Sequence, residues 1–267
     1  ECFYIDRKVI EGSEFCFKSN IRPQFAIVGE PSSMRVISAH KGAHRGRVEI
    51  TGTAKHASLA PHGVSAVNAA GEFITFFSRL ADTWQSEGPF DDAFMVPYAT
   101  GGVNFVRGGL QYNIVAEYAE LEYDLRTLPS MTTESVVELI EDELFDKILP
   151  NLKARARKAE ELSGAHSGVL QERVQIKHEL LAAVPGLGTA DDAPIIALMN
   201  ELLGTSEAPE KVTYGTEAGQ FQRAGIESVV CGPGDIAQAH SANEWIELEQ
   251  LRECERFFEA ILRWASQ

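Results

Sequence analysis

The order of strand and helix patterns in the middle of the chain is the feature that most constrains its fold. Six segments there carry either the two-residue alternation of a strand or the helical spacing of an amphipathic helix. In chain order they predict a strand, a helix, two strands, a helix and a strand, over residues 46–57, 65–84, 101–106, 119–128, 132–149 and 173–182. The order β-α-β-β-α-β is that of the split βαβ, or ferredoxin-like, arrangement of one sheet and two helices.

The segments on either side of this middle part follow a different layout. An apolar run at residues 25–28 stops at a glycine and a proline, which predicts a buried, parallel strand. The part after residue 185 predicts two helices, a strand and a terminal helix, over residues 193–203, 217–224, 228–231 and 247–265. Strands that alternate with helices indicate an α/β sheet. We therefore predict an α/β domain formed by residues 1–45 and 185–267, interrupted by an inserted ferredoxin-like α+β domain over residues 46–184.

The charge and the cysteine content exclude several classes of protein. The 267 residues include 24 Lys and Arg against 39 Asp and Glu, a net charge of −15, which leaves no basic face for nucleic acid. No apolar run approaches the ~20 residues that a membrane-spanning helix needs, so we expect no membrane contact. The four cysteines follow no metal-binding or disulfide spacing, and we expect free thiols in a cytoplasmic protein.

Two potential metal ligands follow predicted strands. Glu30 comes directly after the strand at residues 25–28, and His240 follows the strand at residues 228–231 and a glycine-rich loop. Ligands of α/β sheets bind at the carboxyl ends of the strands, which places both side chains well for a metal ion. The alternatives are a helix cap or a loop ion pair for Glu30 and a plain surface position for His240.

Three further residues of the predicted insertion can carry chemistry. His56 lies at the end of its first strand. Asp124 and Arg126 stand two residues apart on a strand, so both side chains point to the same face. The two could form an ion pair on a solvated sheet, or Arg126 could present its planar guanidinium to a substrate carboxylate.

Seven motifs in this order resemble the zinc-dependent deacylase and aminoacyl-peptidase family, and among its members most resemble the acetylornithine deacetylases. They extend from residue 28 to the C-terminal part of the chain. The motifs are Val28-Gly29-Glu30-Pro31-Ser32, His40-Lys41-Gly42, Gly52-Thr53-Ala54-Lys55-His56-Ala57-Ser58, Gly109-Leu110-Gln111-Tyr112-Asn113-Ile114-Val115, Asp124-Leu125-Arg126, Gly215-Thr216-Glu217-Ala218, and Cys231-Gly232-Pro233-Gly234 followed by His240.

The resemblance implies a catalytic centre with two zinc ions, or possibly cobalt. Glu30 would bind one ion and His240 the other. His56 would reach from the inserted domain into the site of the partner subunit and stabilise the oxyanion, which implies a homodimer formed through the inserted domain. A zinc-bound water is the nucleophile in such chemistry.

The resemblance also implies the substrate contacts. Arg126 would bind the α-carboxylate of the substrate and Asn113 would help to hold it. Thr216, with Gly232 and Gly234, would line the pocket. The substrate would be an N-acyl amino acid, first of all N-acetylornithine, which is cleaved to ornithine and acetate in arginine biosynthesis.

The family's other zinc ligands and its general base, a glutamate, lie upstream of the Gly-Glu-Pro motif, where only 29 residues without histidine precede Glu30. We therefore expect the chain to correspond to the C-terminal two-thirds of a deacylase, to bind zinc poorly and to be inactive alone. The alternatives are a non-catalytic dimerising or ligand-binding fragment, or a related deacylase or dipeptidase that acts on a succinylated diamino acid or a dipeptide.

Overall fold

The computed structural model describes residues 23–164, 168–239 and 242–266. Its strands are β1 (Phe25–Val28), β2 (Ile37–His40), β3 (Gly42–Thr51), β4 (Thr100–Gly108), β5 (Tyr118–Thr127), β6 (Gln175–Val184), β7 (Leu187–Gly188), β8 (Glu210–Val212) and β9 (Glu227–Val230). Its helices are α1 (Ala66–Glu87), α2 (Thr133–Glu141), α3 (Leu149–Leu162), α4 (Val169–Arg173), α5 (Pro194–Leu203), α6 (Ala218–Arg223) and α7 (Leu248–Ala265), with a 3-10 helix at Ala57–His62 and a π-helical segment at Asp142–Ile148. No helix of this part of the chain is long and apolar enough to cross a membrane.

The middle of the chain forms the predicted ferredoxin-like sheet. Its four strands pair antiparallel in the order β4-β5-β3-β6, and α1, α2 and α3 cover one face. Alternation along the strands places Val48, Ile50, Leu121 and Leu125 in the core under these helices. Gly46 has no side chain because one would overlap the ring of Tyr123 on the next strand. The prediction of an α/β protein with an α+β insertion is confirmed.

The helix predicted to end near residue 149 continues to Leu162. After α2 the backbone passes through the π-helical segment into α3 without leaving the helical path. Leu152 and Ala156 extend the buried stripe of α2 by two more turns, while the charged residues between them face solvent. The sequence pattern did not reveal this buried stripe because the segment contains many charged residues.

The remaining strands form a five-stranded mixed sheet. β1 runs parallel to β9, and β2 pairs with β9, β7 and β8. β1 is parallel, as predicted, but its four residues are only half-buried, because β1 lies at one edge of the sheet within the described residues. β2, β7 and β8 were not predicted, since they are short and β2 carries the polar Ser38 and His40 in a buried position.

Two chain connections join the sheets, and both pass through one tightly packed point, which we call the crossing. The chain leaves the mixed sheet after β2 and enters β3 at Gly42, four residues before the predicted domain boundary, and it returns from β6 to β7 through Gly186. A side chain on Gly42 would lie 2.5 Å from Thr127 Oγ1, and one on Gly186 would lie 2.9 Å from the Pro129 Cα. The close packing fixes where the ends of β3, β5 and β6 lie relative to the mixed sheet.

Candidate functional site

The Glu30 loop and the Gly232–Gly234 loop lie side by side. They follow β1 and β9, two adjacent parallel strands, so both emerge at the same edge of the sheet. The backbone N–H groups of Ser32 and Ser33 donate to the carbonyl oxygens of Gly232 and Gly234, at 3.1 and 2.7 Å. The Gly232 N–H donates in return to the Ser32 hydroxyl, at 3.1 Å. The structure thus brings together Glu30, Gly232 and Gly234, as the strand-end argument predicts.

The close approach of the two loops imposes conditions on the backbone. A side chain on Gly232 would overlap the Gly29 carbonyl, so only glycine allows the contact. Ser33 and Met34 adopt left-handed conformations, with φ of 54° and 57°, which are uncommon for residues that carry a side chain. This strained turn redirects the chain from the Glu30 loop into β2 and keeps the loop against its neighbour.

The described residues do not by themselves form a metal site. His240, the second predicted ligand, lies outside the described residues, and so does the N-terminal segment that precedes residue 23. Within the part of the chain that is described, no three His, Cys, Asp or Glu side chains come together as a metal would require. Glu30 is half-buried beside Tyr214, whose hydroxyl donates to the Pro31 carbonyl at 3.2 Å. Burial, with Glu30 nearby, raises the pKa of Tyr214.

Thr216 is buried and is held by a histidine for which the sequence analysis assigned no role. Its backbone N–H donates to His40 Nε2, at 3.3 Å, and its hydroxyl accepts from the Ala218 N–H at the start of α6. The other ring nitrogen of His40 donates to the Lys41 carbonyl, at 3.0 Å. Burial lowers the pKa of His40 to about 4, so the ring is neutral near pH 7. His40 therefore fixes the loop that begins at Gly215.

Lys41 is buried at the crossing between the sheets. Its ammonium group donates to the Tyr98 carbonyl, at 2.5 Å, and lies 6.0 Å from the centre of the Phe94 ring. Burial lowers the pKa of the ammonium group. The contact ties the loop before β4 to the start of β3. The His-Lys-Gly motif at residues 40–42 is thus structural in both of its polar side chains.

His56 and Asn113 lie together at the opposite end of the four-stranded sheet. The Ala57 N–H donates to the Asn113 carbonyl, at 2.8 Å, and the Val115 N–H donates to the Lys55 carbonyl, at 2.7 Å. Both predicted residues are exposed, and His56 Nδ1 lies 2.8 Å from the Ser58 hydroxyl. These segments border a cavity of about 790 Å³ that also touches the start of α1 and the α3 helix.

Arg126 forms the ion pair that the strand spacing allows. Its Nε and Nη2 donate to the two carboxylate oxygens of Asp124, at 2.7 and 3.2 Å. Arg45, across the sheet on β3, donates through Nε to the same carboxylate at 3.0 Å. All three side chains lie on the face of the sheet that the helices leave open.

The site residues therefore fall into two groups at opposite ends of one sheet. Arg126 lies beside the crossing, where Gly215 approaches Lys41 and Val184, whereas His56 follows the far end of β3. All ten residues of β3 pair antiparallel with β5, over a length of about 30 Å. Within one chain the structure brings Arg126 toward Thr216, but it does not bring His56 or Asn113 to them.

Comparisons of the sequence with known proteins identify a dimerisation domain and a set of relatives. The sequence profile of the peptidase dimerisation domain matches residues 38–151. Acetylornithine deacetylase of Proteus mirabilis (strain HI4320) is 35% identical over 234 residues, and that of Myxococcus xanthus is 31% identical over 236 residues. Each match covers 88% of this chain but only 54% and 56% of the relative, so the chain spans about half the length of these relatives.

Solved structures share the fold. Aminopeptidase PepT from Bacillus cereus ATCC 10987 superposes with a TM-score of 0.64 at 18% identity, covering 97% of this chain and 62% of that one. The YXEP protein of Bacillus subtilis, described as a dinuclear metal-binding peptidase from the M20 family, gives a TM-score of 0.53 at 16% identity over 95% of this chain and 59% of that one. The chain is therefore similar to acetylornithine deacetylases over 88% of its length, matches the peptidase dimerisation domain over residues 38–151, and shares its fold with solved peptidases.

Proposed function

We propose that the protein acts as a metal-dependent amidohydrolase that removes the acyl group from an N-acyl amino acid, and that its substrate is N-acetylornithine. The observation that carries the proposal is the identity of 31–35% with acetylornithine deacetylases over 88% of this chain. The adjacent strand-end loops of Glu30 and Gly232 support it, because ligands bind at such edges of α/β sheets. We propose that the protein acts in the cytoplasm, in arginine biosynthesis.

The roles of individual residues are part of this proposal. Arg126 would bind the substrate α-carboxylate, since a guanidinium matches a carboxylate with two parallel hydrogen bonds. Thr216, Gly232 and Gly234 would line the pocket at the neighbouring strand ends. Glu30 and His240 would be ligands of two zinc ions, or of cobalt. The described residues do not complete that ligand set.

We further propose a homodimer formed through the inserted domain, residues 46–184. The support is geometric. His56 and Asn113 lie beyond one end of β3, a strand about 30 Å long, and Arg126 lies at its other end, so a site that uses all three residues takes the first two from a second copy. A two-fold contact would supply each of the two sites with this pair from the other subunit.

Strand β4 is the surface that best fits such a contact. It is an edge strand, and its Phe105 and Val106 are exposed apolar residues. The opposite edge strand, β6, carries the charged Lys177 and Glu179, which disfavour strand pairing. Helix α1 packs beside β4 and exposes Val67 and Ile74 next to it. The unpaired edge and the helix face together form one apolar surface.

The function is tested by measuring the release of ornithine from N-acetylornithine, with zinc or cobalt added and the metal content determined by mass spectrometry. The assay uses the 267-residue chain and any longer natural form that contains it. Turnover by the form with the complete ligand set supports the proposal. Faster turnover of N-succinyl-diaminopimelate or of a dipeptide would assign a different substrate within the same chemistry.

A second candidate function is a non-catalytic dimerising or ligand-binding protein. The observation that favours it is that the described residues hold no group of three metal ligands. This alternative predicts a dimer that retains no metal after purification and hydrolyses none of these substrates in any natural form. A metal-loaded, active form would exclude it.

A further inference from the structure

The open face of the four-stranded sheet carries two arginine clusters that differ in charge. Arg47 donates to Glu122, at 2.8 Å, and also lies 3.9 Å from Glu120 and 3.8 Å from Glu179. Three carboxylates thus surround this one guanidinium. One of them, Glu120, also accepts from Arg107 at 2.7 Å. Two guanidinium groups and three carboxylates give this cluster an excess of one negative charge, and the donors of Arg47 face protein acceptors.

The second cluster, formed by Arg45, Asp124 and Arg126, has the opposite balance. Two guanidinium groups share one carboxylate there, which leaves an excess of one positive charge. The cluster lies at the end of the sheet that adjoins the crossing, next to the loop that begins at Gly215. On the face as described, the positive excess therefore lies beside the loop that begins at Gly215.

The geometry of the Asp124–Arg126 pair leaves one edge of the guanidinium available. Asp124 accepts from Nε and Nη2, which is the side-on edge of the group. The end-on edge, formed by Nη1 and the second hydrogen of Nη2, has no acceptor among the described residues. A guanidinium can bind one carboxylate at each of these edges. The bound Asp124 fixes the plane of the group while the second edge stays accessible.

Stability does not account for this arrangement. Both partners are partly solvated, with 36% of the Arg126 side chain and 23% of the Asp124 side chain exposed. Ion pairs on such surfaces contribute little to folding because water screens them and the side chains lose freedom. A guanidinium that is held in one orientation before a ligand arrives loses less freedom on binding.

We propose that Asp124 is a positioning residue for substrate recognition: it holds the Arg126 guanidinium by its side-on edge so that the end-on edge binds the carboxylate of an N-acyl amino acid. Arg45 donates to the same carboxylate of Asp124 and keeps it in place. The inference rests on the proposed function, in that Arg126 is taken as the carboxylate-binding residue. It adds that recognition of the substrate is shared by three residues on two strands.

The experiment compares Asp124→Asn with Glu122→Gln. The control residue lies on the same strand and the same face, two positions away, and pairs with Arg47. Both substitutions remove one carboxylate charge and preserve the shape of the side chain. Binding of N-acetylornithine and of its primary amide is followed through the Arg126 Nε–Hε signal in NMR spectra of the 267-residue chain, and hydrolysis is measured in any longer natural form.

The expected result is that Asp124→Asn weakens binding of the acid about tenfold, as expected for the loss of one charge-assisted hydrogen bond. It leaves the weaker binding of the amide unchanged, because the amide carries no carboxylate. Glu122→Gln binds both ligands as the unmodified protein does. A purely structural role would change acid and amide binding alike, or would lower the melting temperature.

The outcomes separate the inference from the proposed function. If Asp124→Asn binds the acid as tightly as Glu122→Gln does while hydrolysis occurs, the inference is wrong and the proposed function stands. If binding of the acid depends on Asp124 but no form hydrolyses it, the inference is supported and the proposed function is wrong. If the Arg126 signal responds to no carboxylate, both are wrong.

Discussion

His40 is a fully buried histidine with both ring nitrogens in hydrogen bonds to the backbone. One nitrogen donates to Lys41 and the other accepts from Thr216, an arrangement that only the neutral ring can satisfy. Protonation would turn the acceptor into a donor that faces an N–H group. Burial is the main cause of the low pKa, about 4, against a value of 6.5 in the unfolded chain. The ring thus links the acid stability of the fold to the loop of Thr216.

We predict that this histidine destabilises the protein in acid. In the unfolded chain the His40 ring binds a proton near pH 6.5, whereas in the folded chain it binds one only near pH 4. The free energy of unfolding therefore falls as the pH drops between these values. The loss approaches about 3 kcal/mol, from 1.36 kcal/mol for each unit of difference. Urea unfolding at pH 7 and pH 4.5 should show a smaller pH dependence for His40→Gln. The partly exposed His62→Gln is the control, and an equal pH dependence in all three proteins would contradict the prediction.

Arg126 provides the second prediction at this scale. Arg126→Lys keeps the positive charge but loses the planar contact with two carboxylates, one from Asp124 and one from the substrate. We expect the kcat/KM for N-acetylornithine in an active form of the protein to fall at least tenfold, about 1.4 kcal/mol. The free energy of unfolding should change by at most about 1 kcal/mol, the usual range for an exposed ion pair. Unchanged kinetics with a large loss of stability would show that the pair is only structural.

Single residues differ in how far the sequence could place them. Glu30 and His240 were each placed after a strand by the sequence pattern, whereas the Gly232 loop entered the site only through the family resemblance. The Ser32 contact to Gly232 spans 200 residues and follows from no local spacing. The role of His40 was missed because a polar residue in a short strand gives no signal of burial. The placement of His240 stays a prediction.

At the scale of elements, strand β4 combines an unpaired edge with exposed apolar side chains. Its outer half, from Asn104 to Gly108, is exposed, whereas the central strands β3 and β5 are mostly buried or half-buried. Exposed apolar edge strands favour pairing with another chain. The shape of the element is thus more consistent with a contact between two copies than with a free surface.

We predict that Val106→Lys converts the proposed dimer into a monomer without unfolding it. Val106 is 55% exposed, so a charge there costs the isolated chain little, but it would be buried without a partner in a paired strand. Leu162→Lys, at a position 51% exposed on α3, is the matched control and should remain dimeric. Light scattering at working concentration gives the mass, and circular dichroism checks the fold. A monomeric unmodified protein, or dimers of equal stability in both variants, would contradict the prediction.

The four-stranded sheet was predictable largely because β3 and β5 alternate regularly and each buries one face. The strands β2, β7 and β8 of the mixed sheet were not, since they are too short to show a period and lack the continuous apolar run of β1. The extension of the helix to Leu162 depends on Leu152 and Ala156 packing on the core, which the charges between them conceal. Pairing between distant strands determines these elements more than local spacing does.

At the scale of the whole molecule, the metal content of the chain is the decisive measurement. Glu30 and His240 would supply two ligands for two proposed ions, whereas catalytic zinc sites usually have three protein ligands and a water. We predict that the purified 267-residue chain retains less than one zinc ion and loses it readily to a chelator. It should also hydrolyse N-acetylornithine at no measurable rate. Two tightly bound zinc ions with clear turnover would contradict this and would give the segment before residue 23 a ligand role.

The ferredoxin-like sheet and the interrupted α/β layout were predictable from the order of the elements alone. The relation between the two ends of the sheet was not, because the separation of His56 from Arg126 follows from the pairing of β3 with β5 over its full length. Only the resemblance to known deacylases suggested that His56 acts in another subunit. The division into domains at residues 46 and 184 stays a proposal, although β3 begins at Gly42.

The pairing of His40 with Leu187 has a consequence for how such a chain can change over time. Residues 41–186 lie between these two. Relative to the mixed sheet, this inserted segment has the connectivity of a hairpin loop whose two ends are already in contact. A very long loop costs only slightly more closure entropy than a short one. The inserted segment can therefore be lengthened, shortened or exchanged for another module while β2 and β7 remain paired. Because the proposed substrate contacts Arg126 and Asn113 lie in this segment, its exchange would change substrate recognition and the proposed subunit contact together, while the strand-end loops of the mixed sheet stay in place.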